Sequence, residues 1–189
     1  MKVVITMAGL GTRFTDQGFA EPKYKLRIGN RSLLEISVKS LEKFFDCASF
    51  VFIGLEESLD IDFVNAVAGR LGIKECEVRS LYKLSAGQAE TVLFAGLQDG
   101  DSFIVYNIDT ALNPEYRFSG MSSSDGWGLC FRAPGDHWSF LGPELVARWS
   151  RSVKRKESQI YAVLAYIILG HSQSTKSVTS KLTGKPMDL

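Results

Sequence analysis

Met7-Ala8-Gly9-Leu10-Gly11-Thr12-Arg13 stands directly after a short apolar, β-branched run, and its residue types suit an anion. Glycine lets the backbone approach a phosphate closely and adopt angles closed to other residues. Amides exposed in such a loop can donate to phosphate oxygens, and Arg13 adds a planar cationic fork. Two familiar phosphate loops do not fit. The dinucleotide fingerprint needs a third glycine where Phe14 stands, and the P-loop needs Gly-Lys-Ser/Thr after a four-residue gap. Taken alone, the run serves equally as a tight turn leaving a strand.

Other polar residues recur at comparable places. Glu21-Pro22-Lys23 sets a lysine just past a rigid proline, where it acts as a flexible point charge toward a polyphosphate or as a solvated surface lysine. Gly87-Gln88-Ala89 opens a helical pattern, so Gln88 brings a bidentate amide for a base edge or a cap for the helix. Tyr106-Asn107-Ile108-Asp109-Thr110 delivers one carboxylate past an apolar run. A hard cation such as Mg²⁺ favours one or two carboxylates plus substrate phosphates. Turn formation is the alternative role for Asp109.

The elements that must position these residues alternate along the chain. Val3 to Met7 reads as a buried strand. Leu34, Val38, Leu41 and Phe45 then recur at helical spacing after Ser32, an N-cap residue. Phe50 to Ile53 is a second strand, and Val64, Val67, Ala68 and Leu71 mark a second helix closed by Gly72. Val78 and Leu81 give a weaker third strand, Ala89, Val92 and Leu93 a third helix, and Phe103 to Tyr106 a fourth strand. This rhythm builds a mostly parallel sheet with helices on both faces, and puts the glycine loop at its carboxyl edge. Past Asp109 the rhythm breaks. Ser119 to Gly126 is a Gly/Ser loop, and Trp127 to Phe131 reads as one more strand.

In this order the residues resemble the sugar-phosphate nucleotidyltransferases, whose opening is an apolar strand, then A-G-x-G-[ST]-R-F and a Pro-Lys. Met7 to Lys23 matches that opening, and Gly87-Gln88-Ala89 and Asn107-Ile108-Asp109 follow in register. Gly135-Asp136-His137-Trp138-Ser139-Phe140 is similar to a segment of a bacterial branch associated with surface-polysaccharide biosynthesis. The resemblance spans residues 1–140 and implies an α/β, Rossmann-like three-layer sandwich with a mostly parallel sheet, incomplete at its C-terminal end. It also implies transfer of a nucleoside monophosphate from an NTP to a small phosphorylated acceptor, with release of pyrophosphate. By that likeness Ala8, Gly9, Gly11, Thr12 and Arg13 cradle the triphosphate, Lys23 neutralises its charge, Gln88 helps read the base, and Asp109 holds Mg²⁺. Arg13 and Lys23 would be the catalytic cations. His137 and Trp138 would line the acceptor side, with packing as the other role for each. The rival readings are a non-catalytic remnant that keeps nucleotide binding and a sugar-nucleotide-dependent glycosyltransferase.

Composition bounds these readings. The chain has 189 residues, 22 Lys+Arg against 21 Asp+Glu, and 45% hydrophobic residues, as an ordinary globular domain does. The near-neutral balance gives no reason to expect nucleic acid, and no apolar stretch of about 18 residues suggests a membrane span. Cys47, Cys76 and Cys130 have no metal-ligand spacing and read as buried structural thiols of a cytoplasmic protein. The charge is uneven. Residues 1–140 hold 14 basic and 18 acidic side chains, whereas 141–189 hold 8 basic and 3 acidic.

That second segment departs from the family pattern. The branch continues with V-x-E-K-x-x-I-S and then G-x-Y-Y-F, the lysine of the E-K pair contacting the acceptor's phosphate, and a later strand supplies a second metal carboxylate. Lys154 and Arg155 stand nearest, with the wrong order and charge pattern. With codons chosen as GTG for Val153, AAA for Lys154 and AGG for Arg155, and similarly onward, a neighbouring frame reads Lys154–Leu169 as EKERISDLCCSGLYYF. The family string returns with its spacing intact. This implies that the ancestral frame is lost near Leu141 to Val146 and that residues 141–189 are an out-of-frame, poorly ordered tail. Such a tail would leave a sheet edge unpaired and expose the apolar run Tyr161–Leu169, the alternative being a helix there. The coding DNA is the check. Bases in the neighbouring frame should spell E-K and G-L-Y-Y-F, and bases that exclude both would end the idea.

Overall fold

Val3–Ile5, Phe50–Ile53 and Phe103–Tyr106 are all at most 1% exposed. Runs without polar interruption become strands covered on both faces, as the interior of a parallel sheet demands. The computed structural model describes residues 1–113, 126–132, 140–141 and 161–168. Its strands are β1 (Lys2–Thr6), β2 (Arg27–Ile28), β3 (Arg31–Ser32), β4 (Ser49–Leu55), β5 (Glu75–Leu81), β6 (Phe103–Asn107), β7 (Gly126–Arg132), β8 (Phe140–Leu141) and β9 (Tyr161–Ile168). The helices are α1 (Thr12–Thr15), α2 (Leu33–Lys39), α3 (Ile61–Leu71) and α4 (Gln88–Leu93).

The main sheet runs β5-β4-β1-β6-β9-β7, with β8 also paired to β9; β2 and β3 form a separate small ribbon. The first four strands are mutually parallel. Side chains alternate between faces as the pleat requires. Val3, Ile5, Phe50, Phe52, Ile104 and Tyr106 join Leu34 and Val38 of α2 and Val64, Val67 and Ala68 of α3 in one cluster. Val4, Val51, Ile53, Phe103 and Val105 join Val92 of α4 in the other. The fold is therefore the α/β three-layer sandwich expected from the alternating pattern.

Three local expectations need correction. The helical spacing from Leu34 to Phe45 is not one helix. α2 stops at Lys39, the backbone tightens to bonds such as Leu41 N–H to Val38 carbonyl (2.9 Å), and a 3-10 turn covers Glu42–Phe44. Leu41, Phe44 and Phe45 stay buried, so the apolar spacing outlasts the helix. Cys47 and Cys76 are exposed, because one follows that turn and the other lies on the edge strand β5. Finally, Tyr161–Ile168 is neither a helix nor an unpaired run. It is β9, antiparallel to β6 on one side and to β7 on the other, with Tyr106 opposite Ala165 and Arg132 opposite Tyr161. Apart from Leu141 and β9, the tail assigned to 141–189 lies outside the described residues.

The expected caps are present. Gly72 ends α3 with φ 81°, a left-handed angle that favours glycine. Ser32 and Glu35 form a reciprocal capping box: the Glu35 N–H donates to Ser32 Oγ (3.1 Å) and the Ser32 N–H to Glu35 Oε2 (2.8 Å). Arg70 at the end of α3 donates to Glu35 Oε1 (2.9 Å), so one carboxylate joins two helices. Partial burial opposes ionisation of Glu35, but the hydrogen bonds from Ser32 and Arg70 outweigh it and hold the carboxyl below its usual 4.5.

A group depressed in the folded state stabilises fully above its ordinary value, and that stabilisation is lost as pH falls through the folded one. Glu35→Gln should therefore lower stability at neutral pH by about 1 kcal/mol. Thermal or urea unfolding should show the gap closing as pH falls below 4.5 through the depressed value.

Candidate functional site

Strand β1 sits between β4 and β6, its end level with that of β6, while β4 continues two residues further to Leu55. Thr6 lies opposite Ile53 on one side and Asn107 on the other. The chain passes from β1 outward to β4 and β5, then returns to β6 on the opposite side of β1. Strand order thus reverses at β1/β6, and the crevice beyond such a reversal is where open α/β sheets take ligands. A cavity of about 460 Å³ lies there, lined among others by Ala8, Gly9, Gly11, Lys23, Gln88 and Asp109. Six residues singled out in the sequence, from three chain segments (the stretch after β1, the start of α4 and the loop after β6), thus line one cavity.

The floor is polar and cross-linked. Gln88 Nε2 donates to Thr6 Oγ1 (2.9 Å) and to Asn107 Oδ1 (2.5 Å), tying α4 to the ends of β1 and β6. Gly87 is the N-cap of α4 and no side chain caps it, so Gln88 is not serving as a cap. A bidentate grip on a base would require one of these two bonds to be given up. Ser85 Oγ lies 2.7 Å from Thr91 Oγ1 and closes the loop ahead of α4. From the other face of the sheet, Ser37 Oγ donates to the Asn107 carbonyl (2.6 Å), and the Leu112 N–H donates to Ser40 Oγ (2.8 Å). The segment carrying Asp109 is therefore held to α2 at both ends. Beneath it the Tyr106 hydroxyl donates to the Thr110 carbonyl (3.1 Å), and burial pushes that phenol up to about 12.

Across the mouth, Lys23 Nζ contacts Asp109 Oδ2 at 2.5 Å. The same ammonium lies 5.3 Å from the centre of the Phe14 ring, a cation–π distance. Gly11 has φ 62°, so the loop between β1 and α1 turns in the left-handed region that a side chain disfavours. The constraint is conformational, since an added Cβ would meet only Lys23 Cβ, at 3.8 Å.

Not every expected residue faces the cavity. Thr12 and Arg13 begin α1 on the exposed side and do not line it, and Arg13 makes no ion pair among the described residues. His137 and Trp138 lie outside the described residues. The sequence reading missed Thr6, Glu57, Ser58, Tyr24 and Ser85, all of which line the cavity, and used Asn107 only as a motif member. Thr6 and Asn107 had a usable signal: each is the polar residue that closes an apolar parallel strand. Tyr24 had none, because its role depends on a partner distant in sequence.

No group of three or more His, Cys, Asp or Glu among the described residues could hold a metal ion by itself. Asp109 does suit Mg²⁺, which binds through one or two carboxylates and completes its shell with water and substrate phosphates. The lining offers backbone amides, the Lys23 ammonium and the carboxylates of Asp109 and Glu57, and among the described residues no nucleophile paired with a base.

No protein-family model matches the chain, and no curated protein does. Solved structures do. A nucleoside-diphosphate-sugar pyrophosphorylase from Vibrio cholerae is 30% identical, with a TM-score of 0.76 over 89% of this chain and 73% of that one. A protein described as a glucose-1-phosphate thymidylyltransferase from Bacillus anthracis is 18% identical, with a TM-score of 0.66 over 98% and 76% of the two chains. An inositol-1-phosphate CTP transferase from T. maritima is also 18% identical, with a TM-score of 0.59 over 95% and 73%. The latter two share the fold.

Proposed function

The chain belongs to the sugar-phosphate nucleotidyltransferase family, that of the nucleoside-diphosphate-sugar pyrophosphorylases, and we propose that it transfers a nucleoside monophosphate from an NTP to a small phosphorylated acceptor, releasing pyrophosphate. The observation that carries this reading is the convergence of Gly9, Gly11, Lys23 and Asp109 on one cavity at the β1/β6 crevice. An oxygen of the acceptor's phosphate attacks the α-phosphorus, the bond to the β-phosphate oxygen breaks, and pyrophosphate departs in line. Catalysis of this kind is positioning and charge stabilisation, so no side-chain nucleophile is required.

Each residue has a part in that scheme. The backbone from Ala8 to Thr12 donates to the triphosphate. Lys23, drawn off Asp109 by phosphate, neutralises charge that grows on the leaving group. Asp109 would hold Mg²⁺, which supplies further neutralisation of the phosphates. Arg13 stands immediately past the glycine loop and meets the departing pyrophosphate once its side chain turns inward. Gln88 faces the base, while its links to Thr6 and Asn107 keep α4 in place. A cytoplasmic location, polysaccharide precursor synthesis and acceptor contacts by His137 and Trp138 belong to the same proposal.

A second reading, a remnant that binds nucleotide without turnover, is favoured by one observation: among the described residues no group of three or more His, Cys, Asp or Glu could hold a metal ion. Pyrophosphate release, measured with each NTP against a panel of sugar phosphates and phosphocholine, separates the two. The proposal expects release with at least one pair, reduced by about 10²–10³ in kcat/KM for Lys23→Ala and for Asp109→Ala. Tight nucleotide binding with no release from any pair would establish the second reading instead.

A further inference from the structure

The segment that presents Lys23 is short and has little backbone support. It is a single 3-10 turn, Lys23–Lys25, with two bonds of its own: Lys25 N–H to the Pro22 carbonyl (2.9 Å) and Leu26 N–H to the Lys23 carbonyl (3.2 Å). What anchors it is the next side chain. Tyr24 is 3% exposed, and its ring packs against Phe63 of α3 with centroids 5.9 Å apart. Its hydroxyl accepts from the Asp60 N–H (2.8 Å) and donates to the Ser58 carbonyl (2.9 Å). Lys25 Nζ reaches Asp60 Oδ2 at 2.5 Å, and Asp60 Oδ1 accepts from the Phe63 N–H (2.9 Å) as the cap of α3. The turn is thus bolted to the loop between β4 and α3 on one side while Lys23 projects to Asp109 on the other.

We infer that the Tyr24 hydroxyl is a positioning group for Lys23, setting where its ammonium stands over the phosphates. A role in packing alone would need only the ring, which phenylalanine supplies. The hydroxyl does something separate, because its two bonds are both to backbone atoms of the loop that forms the opposite wall through Glu57 and Ser58. Burial also pushes the phenol above its usual 10.0, so the O–H persists as a donor throughout the neutral range. Lys25 adds a partly buried ion pair to Asp60 and lies over the Phe63 ring at 5.2 Å, so it holds the turn to the same loop and helix. Small displacements of a group that meets transferring phosphates cost disproportionate rate and affinity.

This inference rests on the reading of Lys23 as a ligand of the triphosphate, and the experiment keeps the two apart. Calorimetric dissociation constants are measured with Mg²⁺ for ATP, CTP, GTP, UTP and dTTP and for the matching monophosphates. The proteins are wild type, Tyr24→Phe, Lys23→Ala and the double variant. Tyr24→Phe should weaken the preferred triphosphate about five- to tenfold, a loss of about 1–1.4 kcal/mol, and the monophosphate less than about twofold. In the Lys23→Ala background Tyr24→Phe should have no further effect. Wild-type affinity in Tyr24→Phe, equal weakening of tri- and monophosphate, or additivity with Lys23→Ala would overturn the positioning role while leaving the function intact. Failure of wild type to bind any triphosphate would overturn both. Should Tyr24→Phe not be folded at the assay temperature, the cycle is run at a lower temperature at which circular dichroism shows the native fold, and the same outcomes decide.

Discussion

Strand β1 is the constraint on which the rest of the structure depends. It pairs in parallel on both edges and is buried on both faces, so loss of its pairing would expose Val3, Val4 and Ile5 together. Its end is level with that of β6, and β4 runs two residues further, to Leu55, so the three loops that follow begin on the same edge of the sheet. The glycine loop, a wall and a carboxylate are thereby brought into one crevice. The flanking helices add little chemistry of their own. They cover the two faces and, through Ser37 and Ser40, hold the segment after β6.

The change in polarity at the edge follows from the same burial. Strands that tolerate no polar side chain inside the sheet place theirs at the last residue, and Thr6 and Asn107 meet there with Gln88 between them. Beyond this layer the groups become charged and partly exposed. The side chains of Lys23 and Asp109 keep 26% and 47% of their exposure, so their pairing contributes at most about 1 kcal/mol to stability. An ion pair of such small structural value is readily exchanged for stronger partners. In the proposed reaction a triphosphate and a divalent cation would be such partners, one for each member.

Much of this was legible in the residues. Continuous apolar runs at Val3, Phe50 and Phe103 marked strands buried on two faces, and helical spacing at Val64 to Leu71 with Gly72 marked α3 with its stop. The glycine loop, Lys23, Gln88 and Asp109 were visible by type, and their order along a β/α alternation placed them on one edge. What was not legible depended on contacts distant in sequence. The break after Lys39 preserves the apolar spacing, so periodicity does not reveal it. Tyr24 reads as one more aromatic until Asp60 and Ser58 are beside it. Arg13, the strongest cation in the motif, stands outside the cavity wall, since the sharp turn at Gly11 starts α1 on the solvent side. The run from Tyr161 read as an exposed tail segment, or else a helix, and is instead a strand. Its aromatic and β-branched content was the better guide, and β6 supplies the edge that it pairs with.

The central claim is that the crevice between β1 and β6 is the triphosphate site, and amide chemical shifts of ¹⁵N-labelled protein test it most directly. Each of the five common NTPs is titrated with Mg²⁺ while the backbone amides are followed. The account predicts that the largest shifts fall on Gly9 to Gly11, Lys23 and Tyr24, Gly87 and Gln88, and Ile108 and Asp109. Shifts centred at the opposite end of the sheet, around Lys2, Ser49 and Phe103, or no shift with any of the five, would contradict it.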